Sequence, residues 1–130
     1  MTALVSVIVP VGPSHGRLLP QALRSLRAQT VPDWNAIIVN DSGRKLQADG
    51  YTMLNTGGKK GSGYARNMGI AAATTPWVTF LDADDIMMPN GIEAMARCAA
   101  EFSCGGYIYG DAWTVTGDGG IEYFAARNFE

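Results

Sequence analysis

VTFLDADD, residues 78–85, joins a short apolar run to three carboxylates. The apolar part, residues 78–81, predicts a buried strand, and Asp82, Asp84 and Asp85 follow at its carboxyl end. In an open parallel sheet, ligands bind at the carboxyl ends of the strands. Like charges a few ångströms apart repel, so either one carboxyl group is protonated or a cation lies between them.

Oxygen ligands favour a hard cation such as Mg²⁺, Mn²⁺ or Ca²⁺, which could in turn hold a phosphorylated substrate. Because alternate residues of an ending strand point to the same side, we expect Asp82 and Asp84 to face one ion. The competing interpretation is that acidic residues after a strand cap the next helix or solvate a loop. Asp85 is the residue that we expect to do only that.

The rest of the chain alternates strand patterns with helical patterns. Further strands are predicted at Val5–Val9, Ala36–Val39, Tyr51–Leu54, Tyr107–Val115 and Ile121–Phe124, a loop at Pro10–Arg17, and helices at 19–26, 64–72 and 92–99. This alternation predicts an α/β fold, a Rossmann-like and mostly parallel sheet with flanking helices. The loops after Val9, Val39 and Leu81 then meet at one edge, where a nucleotide-sized cleft is expected.

Length and charge narrow the class of protein. The 130 residues suit one small domain or part of a larger one, and the net charge of −2 gives no basic excess for nucleic acid. Cys98 and Cys104 match neither a redox motif nor a zinc site. The apolar start lacks a basic leader and no apolar run reaches transmembrane length, so we expect a cytoplasmic protein without a membrane segment.

A glycine-rich loop, Gly57–Gly63, precedes the second predicted helix. It is not a P-loop, because Tyr64 and Ala65 follow where Lys and Ser/Thr are needed, and Arg66 occupies the third glycine position of a dinucleotide fingerprint. It could be a flexible connector. Its free backbone donors before a helix nevertheless favour an anion, and Arg66 could donate to a phosphate or to an aspartate.

The acidic segment also resembles the Asp-x-Asp motif of haloacid dehalogenase-like phosphatases. There the first aspartate is a nucleophile and the second is a general acid, which would be Asp82 and Asp84 here. Asp85 and Ile86 depart from that motif, which ends in any residue and then Thr or Val. A phosphatase is therefore kept as a distant alternative.

Five segments in order resemble glycosyltransferase family 2, whose members use nucleotide sugars and have the so-called GT-A fold. The segments are Val5–Pro10, Leu23–Thr30, Ile37–Gly43, Gly63–Ile70 and Phe80–Asp85. They are similar to the family's opening strand, its Ser-Leu-x-x-Gln-Thr helix end, its Val-Asp-Asp-Gly-Ser turn, its Ala-Arg-Asn-x-Gly helix and its Asp-x-Asp-Asp element. The likeness extends to about Tyr109.

The resemblance implies inverting transfer of a sugar from a nucleoside diphosphate to the hydroxyl of a saccharide or another acceptor. A UDP-sugar is favoured over a GDP-sugar, and the cofactor would be Mn²⁺ or Mg²⁺. The implied nucleotide-sugar contacts are Pro10, Val11, Gly12, Asp41, Arg66, Asp82, Ala83 and Asp84, and the implied metal ligands are Asp84 and Asp82.

Each of these residues has an implied role. The first loop contacts the base mainly through its backbone. Asp41 contacts a base or ribose donor, unless its carboxylate only closes an Asx turn. Arg66 pairs with the diphosphate or an aspartate. Asp84 is the direct metal ligand, and Asp82 contacts the ribose or the metal.

The chain departs from the family in two respects and stops short of its catalytic base. Asn40 replaces the first aspartate of the family's pair, and Lys59 stands where an asparagine often precedes the glycines. Inverting transfer needs a general base, which the family takes from a later acidic motif. Asp111 is the one weak candidate for it here, so we expect the base to lie beyond residue 130.

We therefore expect residues 1–130 to form a single nucleotide-sugar-binding domain that is incomplete at its C-terminus. A truncated sheet would leave an exposed edge that could support a homo-oligomer. The alternative from another class is a non-catalytic nucleotide-binding or assembly module with the same fold.

Overall fold

The computed structural model describes residues 3–101, 106–108 and 110–125, which divide into two compact units. Unit 1 extends to Ala96 and unit 2 begins at Arg97. Unit 1 contains a parallel four-stranded sheet, as the sequence predicts. The strands are β1 (Val5–Val11), β2 (Trp34–Asn40), β3 (Thr52–Asn55) and β4 (Trp77–Phe80), in the order β3-β2-β1-β4.

Helices flank the sheet, one between β1 and β2, one between β3 and β4, and one after β4. They are α1 (Leu19–Arg27), preceded by a 3₁₀ turn at Gly16–Leu18, α2 (Ser62–Ala72) and α3 (Gly91–Glu101). Every residue of β1 is buried, because alternate side chains point to opposite faces and both faces are covered. Val7, Val9 and Val11 share one core cluster with Leu26 of α1, whereas Ile8 packs with Ala65 of α2 on the other face.

Strand β1 is two residues longer than predicted, so the loop expected from Pro10 begins later. Pro10 and Val11 pair with Val39 and Asn40 of β2, whereas pairing with β4 ends at Ile8. The backbone of Ile8 faces β4, since its carbonyl accepts the Leu81 N–H at 3.0 Å. Pro10, two residues on, faces the same side, where no partner strand remains. Proline is tolerated there because the missing N–H would have no ladder acceptor.

Unit 2 contains an antiparallel hairpin, β5 (Ala112–Val115) and β6 (Ile121–Phe124). The predicted strand from Tyr107 was therefore too long, and Tyr109 lies outside the described residues. The hairpin closes locally, because the Thr116 N–H donates to the Gly120 carbonyl at 2.8 Å across a glycine-rich turn. Among the described residues, no helix is both long enough and apolar enough to span a membrane.

Two glycines of α2 give a matched test of the packing between helix and sheet. A Cβ at Gly69 would lie 2.4 Å from Cγ2 of Ile8, whereas one at Gly63 meets nothing within 4 Å. Gly69→Ala should lower the free energy of unfolding by about 1–3 kcal/mol through overpacking. Gly63→Ala should leave it unchanged or raise it by up to about 1 kcal/mol. Urea denaturation followed by circular dichroism measures both, and equal effects would show that α2 does not contact β1 this closely.

Candidate functional site

The strand order places a topological switch point between β1 and β4. The chain moves outward from β1 to β2 and β3, and then returns to the opposite side of β1 to form β4. Crevices at the carboxyl ends of such strands are where open α/β sheets bind ligands. Gly12 follows β1, and Asp82 follows β4 after Leu81. The acidic segment therefore lies at the switch point.

A tight turn, rather than an ending strand, brings the three carboxylates together. Strand β4 ends at Phe80, and the Asp85 N–H donates to the Asp82 carbonyl at 2.9 Å. As a result, oxygens of Asp82, Asp84 and Asp85 all lie within 4.8 Å of one another. Asp85 thus lies beside the two predicted metal ligands, and its expected role of only capping or solvating the turn stays a prediction.

One of the three carboxylates lies within ion-pair distance of a cationic side chain. Nη2 of Arg66 lies 2.8 Å from Oδ1 of Asp82, and its guanidinium carbon is 5.8 Å from the centre of the Phe80 ring. Among the described residues, no lysine or arginine pairs with Asp84 or Asp85. Partial desolvation, and then the charges of Asp84 and Asp82, raise the pKa of Asp85. Negative charge is thus left uncompensated at this turn.

Asp41 holds the glycine-rich loop in place. Its side chain is 3% exposed and accepts hydrogen bonds from the Thr56 hydroxyl and from the backbone N–H groups of Lys60 and Gly61, the latter two at 2.7 and 2.8 Å. Its own N–H donates to the Val11 carbonyl at 2.9 Å. The backbone N–H of Asp41 therefore ties the end of β2 to the end of β1, and its carboxylate ties both to the loop before α2. Sequence reasoning missed these loop contacts, because their partners lie 15–20 residues away.

The charge of Asp41 is retained despite burial. Desolvation alone would raise the pKa of Asp41, but the hydrogen bonds from Thr56, Lys60 and Gly61 and the charge of Lys60 outweigh it, so the pKa is lowered. A carboxylate offers about four acceptor positions, of which three are used here. By this count one acceptor position is unassigned, and the side chain around it is almost fully buried.

The Asx turn that the sequence allowed for Asp41 is made by its neighbour Asn40. The Asn40 side-chain oxygen accepts from the N–H and the hydroxyl of Ser42 at 3.0 and 2.6 Å. Its amide nitrogen donates to the Arg44 carbonyl at 2.7 Å and to the Asn55 side-chain oxygen at 3.1 Å. An aspartate could not make those two donations. This network explains why an amide suits position 40 of this chain.

The remaining predicted contacts differ in how accessible they are. Pro10 and Val11 are buried in β1, and Ala83 is 2% exposed, whereas Gly12 is partly exposed. Of the three predicted contacts Pro10, Val11 and Gly12, only Gly12 thus offers surface to a ligand. Asp111, the candidate base, lies in unit 2, where it accepts a hydrogen bond from the Tyr123 hydroxyl. That bond raises the pKa of Tyr123.

His15 is a residue that sequence reasoning missed. Its Nε2 lies 3.8 Å from Oδ2 of Asp84, and both side chains are nearly half exposed. It is the single histidine of the chain and follows β1 by four residues. A lone histidine in a loop at the carboxyl edge was the available signal.

A separate cleft of about 280 Å³ lies at the ends of β2 and β3, lined by residues that include Asn40, Arg44 and Gly58.

The family can now be stated from a direct comparison. The profile of glycosyl transferase family 2 matches residues 6–112, which include the Asp41 region, α2 and the acidic turn. The chain belongs to glycosyl transferase family 2. The match favours the transferase interpretation of Asp82–Ile86 over the phosphatase interpretation.

Relatives with curated names agree with this assignment. Glycosyltransferase GlyG of Streptococcus pneumoniae serotype 4 is 30% identical over 111 residues, covering 78% of this chain and 36% of its own. Succinoglycan biosynthesis protein ExoW of Rhizobium meliloti is 28% identical over 127 residues, covering 85% and 40%. The chain thus spans little more than a third of the length of these relatives.

Solved structures show the same fold. Staphylococcus aureus TarS 1–349, crystallised in complex with UDP, has a TM-score of 0.64 at 22% identity and covers 78% of this chain and 32% of its own. The mannosyltransferase PcManGT of Pyrobaculum calidifontis, in complex with GDP-Man and Mn²⁺, has a TM-score of 0.58 at 20% identity and covers 76% and 32%. These similarities establish the GT-A architecture of the sheet and its helices.

Replacing Asp41 by asparagine should weaken the fold at neutral pH. The side-chain NH₂ group of an asparagine would face one of the N–H or O–H donors that the carboxylate now accepts from. Because that donor would lose its hydrogen bond, Asp41→Asn should lower the free energy of unfolding by about 1–3 kcal/mol. Because folding lowers the pKa of Asp41, its contribution is present above the pKa of the unfolded chain and is lost as the pH falls through the folded value. The difference between variant and parent should therefore shrink below about pH 4.

Urea denaturation at several pH values measures this difference. Asp49→Asn is the matched control, because Asp49 is exposed and makes no side-chain hydrogen bond to a described residue. A Asp41→Asn variant as stable as Asp49→Asn at pH 7 would contradict the role of Asp41 in holding the loop.

Proposed function

We propose that this chain binds the donor of a glycosyl transfer, a nucleoside-diphosphate sugar, through a divalent cation at Asp84 and Asp82. The observation that carries the proposal is the cluster of three carboxylates within 4.8 Å at the switch point of the sheet. Membership of glycosyl transferase family 2 supports the reaction class. The acceptor would be the hydroxyl of a saccharide or another compound, and transfer would proceed with inversion.

The donor set suits the proposed cofactor, Mn²⁺ or Mg²⁺. All three side chains offer oxygen atoms, which hard divalent cations prefer. Partial desolvation, and then repulsion from Asp84 and Asp82, raise the pKa of Asp85, and a positive ion would relieve that repulsion. A cation bound there would stabilise the negative charge of the departing nucleoside diphosphate. Arg66 holds the Asp82 carboxylate in position and leaves Asp84 free to bind.

The base of the nucleotide would contact Asp41 and Gly12. The Asp41 carboxylate accepts three of about four possible hydrogen bonds, and the Asp41 N–H donates to the carbonyl of Val11, which precedes the partly exposed Gly12. Uracil presents one N–H on its pairing edge, whereas guanine presents an N–H and an amino group. A single remaining acceptor therefore favours a UDP-sugar over a GDP-sugar. Both nucleotides occur in the similar structures, UDP with TarS and GDP-Man with PcManGT.

The donor site contains no residue that we assign as the general base. Asp111 is engaged with the Tyr123 hydroxyl in unit 2, and relatives extend well beyond the matched region. We propose that the base of the whole enzyme lies beyond residue 130. The described residues of unit 1 then bind, orient and screen the donor rather than remove the acceptor proton.

Calorimetric titration with UDP and then GDP, in Mn²⁺ and again in EDTA, tests the proposal. We expect Mn²⁺-dependent binding that is tighter for UDP and is weakened by roughly tenfold or more in Asp84→Asn. Asp49→Asn controls for loss of a negative charge elsewhere and should bind like the parent. Nucleotide binding by neither base, in a sample that circular dichroism shows to be folded, would reject donor binding and favour a non-catalytic module.

A further inference from the structure

The loop after β1 fixes the backbone of His15 at the switch point. The His15 N–H donates to the Gly12 carbonyl at 3.2 Å, and the His15 carbonyl accepts the Leu18 N–H at 3.0 Å. One bond ties the residue back to the end of β1 and the other ties it forward to the 3₁₀ turn before α1. The imidazole is therefore held at a defined place although its side chain is 44% exposed.

The ring is oriented with one nitrogen toward the acidic turn. A Cβ on Gly12 would lie 3.3 Å from Nδ1, so that nitrogen faces the backbone of Gly12. Nε2 lies on the other side of the ring, 3.8 Å from Oδ2 of Asp84. A direct hydrogen bond is excluded at that distance. An ion pair between two groups this exposed would contribute little to stability.

The separation of 3.8 Å is instead close to that of two ligands of one cation. With metal–ligand bonds of about 2.1 Å, two ligand atoms lie ~3.0 Å apart when adjacent and ~4.2 Å apart when opposite. The distance between Nε2 and Oδ2 matches neither spacing, so the two exposed side chains would have to move by several tenths of an ångström to bind one ion. Carboxylate oxygens and an imidazole nitrogen could reach the same ion after that movement.

We propose that Nε2 of His15 is a ligand of the cation held by Asp84, an inference that rests on the proposed donor site. Its consequence is ion preference. Oxygen ligands suit Mg²⁺, Ca²⁺ and Mn²⁺ alike, whereas an imidazole nitrogen adds affinity for first-row transition-metal ions, of which Mn²⁺ is the weakest binder, and not for Mg²⁺. A mixed His15 and Asp84 site therefore selects Mn²⁺ over Mg²⁺, and the loop after β1 joins the acidic turn in forming the metal site.

Metal affinity of the chain without nucleotide provides the first test. Free Mn²⁺ counted by electron paramagnetic resonance, with Mg²⁺ as competitor, gives the affinities of the parent, His15→Gln and Asp84→Asn. We expect His15→Gln to weaken Mn²⁺ binding by roughly tenfold while Mg²⁺ binding changes by less than about threefold. Asp84→Asn should weaken the binding of both ions. His15→Gln keeps a polar side chain of similar length, and His15→Ala repeats the test should the glutamine itself coordinate the ion.

The single histidine allows the contact to be observed directly. In a ¹⁵N-labelled sample the two imidazole nitrogens give one pair of signals, and diamagnetic Zn²⁺ should shift Nε2 in the parent but not in Asp84→Asn. The role of His15 would be overturned if Asp84→Asn weakens Mn²⁺ binding while both His15 variants bind Mn²⁺ like the parent and the Nε2 signal does not shift. The proposed donor site would then still hold. Parent that binds no Mn²⁺ at all would overturn both.

Discussion

Parallel pairing on both sides of β1 is the constraint on which the rest of unit 1 depends. β1 pairs with β2 over its whole length but with β4 only as far as Ile8, so the sheet edge has a step at the switch point. The step lets β1 continue through Pro10 and carries the following loop past the end of β4. His15 consequently faces Asp84 across that step. Unequal strand lengths thus create the space in which the site forms.

Two adjacent buried residues then make this edge rigid. The Asn40 side-chain amide donates to the Arg44 carbonyl and to the side-chain oxygen of Asn55. These two bonds join the turn after β2 to the end of β3. The Asp41 carboxylate accepts three hydrogen bonds from Thr56 and from the loop before α2. Hydrogen bonds of this kind fix loop backbone before any ligand arrives, which lowers the ordering cost of binding. The difference between amide and carboxylate at these positions follows from whether each side chain meets acceptors or donors.

The fold of unit 1 can be predicted from the sequence more completely than the contacts within its candidate site. Buried parallel strands are short apolar runs, so Val5–Val9 and Ala36–Val39 identify β1 and β2 without knowledge of their partners. The contacts of Asp41 and His15 depend on residues brought together by tertiary structure, which no local pattern reveals. The closeness of Asp85 to Asp82 and Asp84 follows from a turn rather than from strand alternation. Family motifs located Asp82, Asp84 and Arg66, but the geometry that joins them required the fold.

The negative charge of the acidic turn favours the binding of a cation. Arg66 compensates Asp82 at 2.8 Å, yet this pair is partly exposed and contributes little to stability. Partial desolvation, and then the charges of Asp84 and Asp82, raise the pKa of Asp85, so folding disfavours the ionised form of this carboxyl group. A ligand that supplies positive charge reduces this cost and is bound to the folded chain in preference to the unfolded one. On the proposed function, a divalent cation therefore stabilises the turn and the donor together, which couples folding of the edge to donor binding.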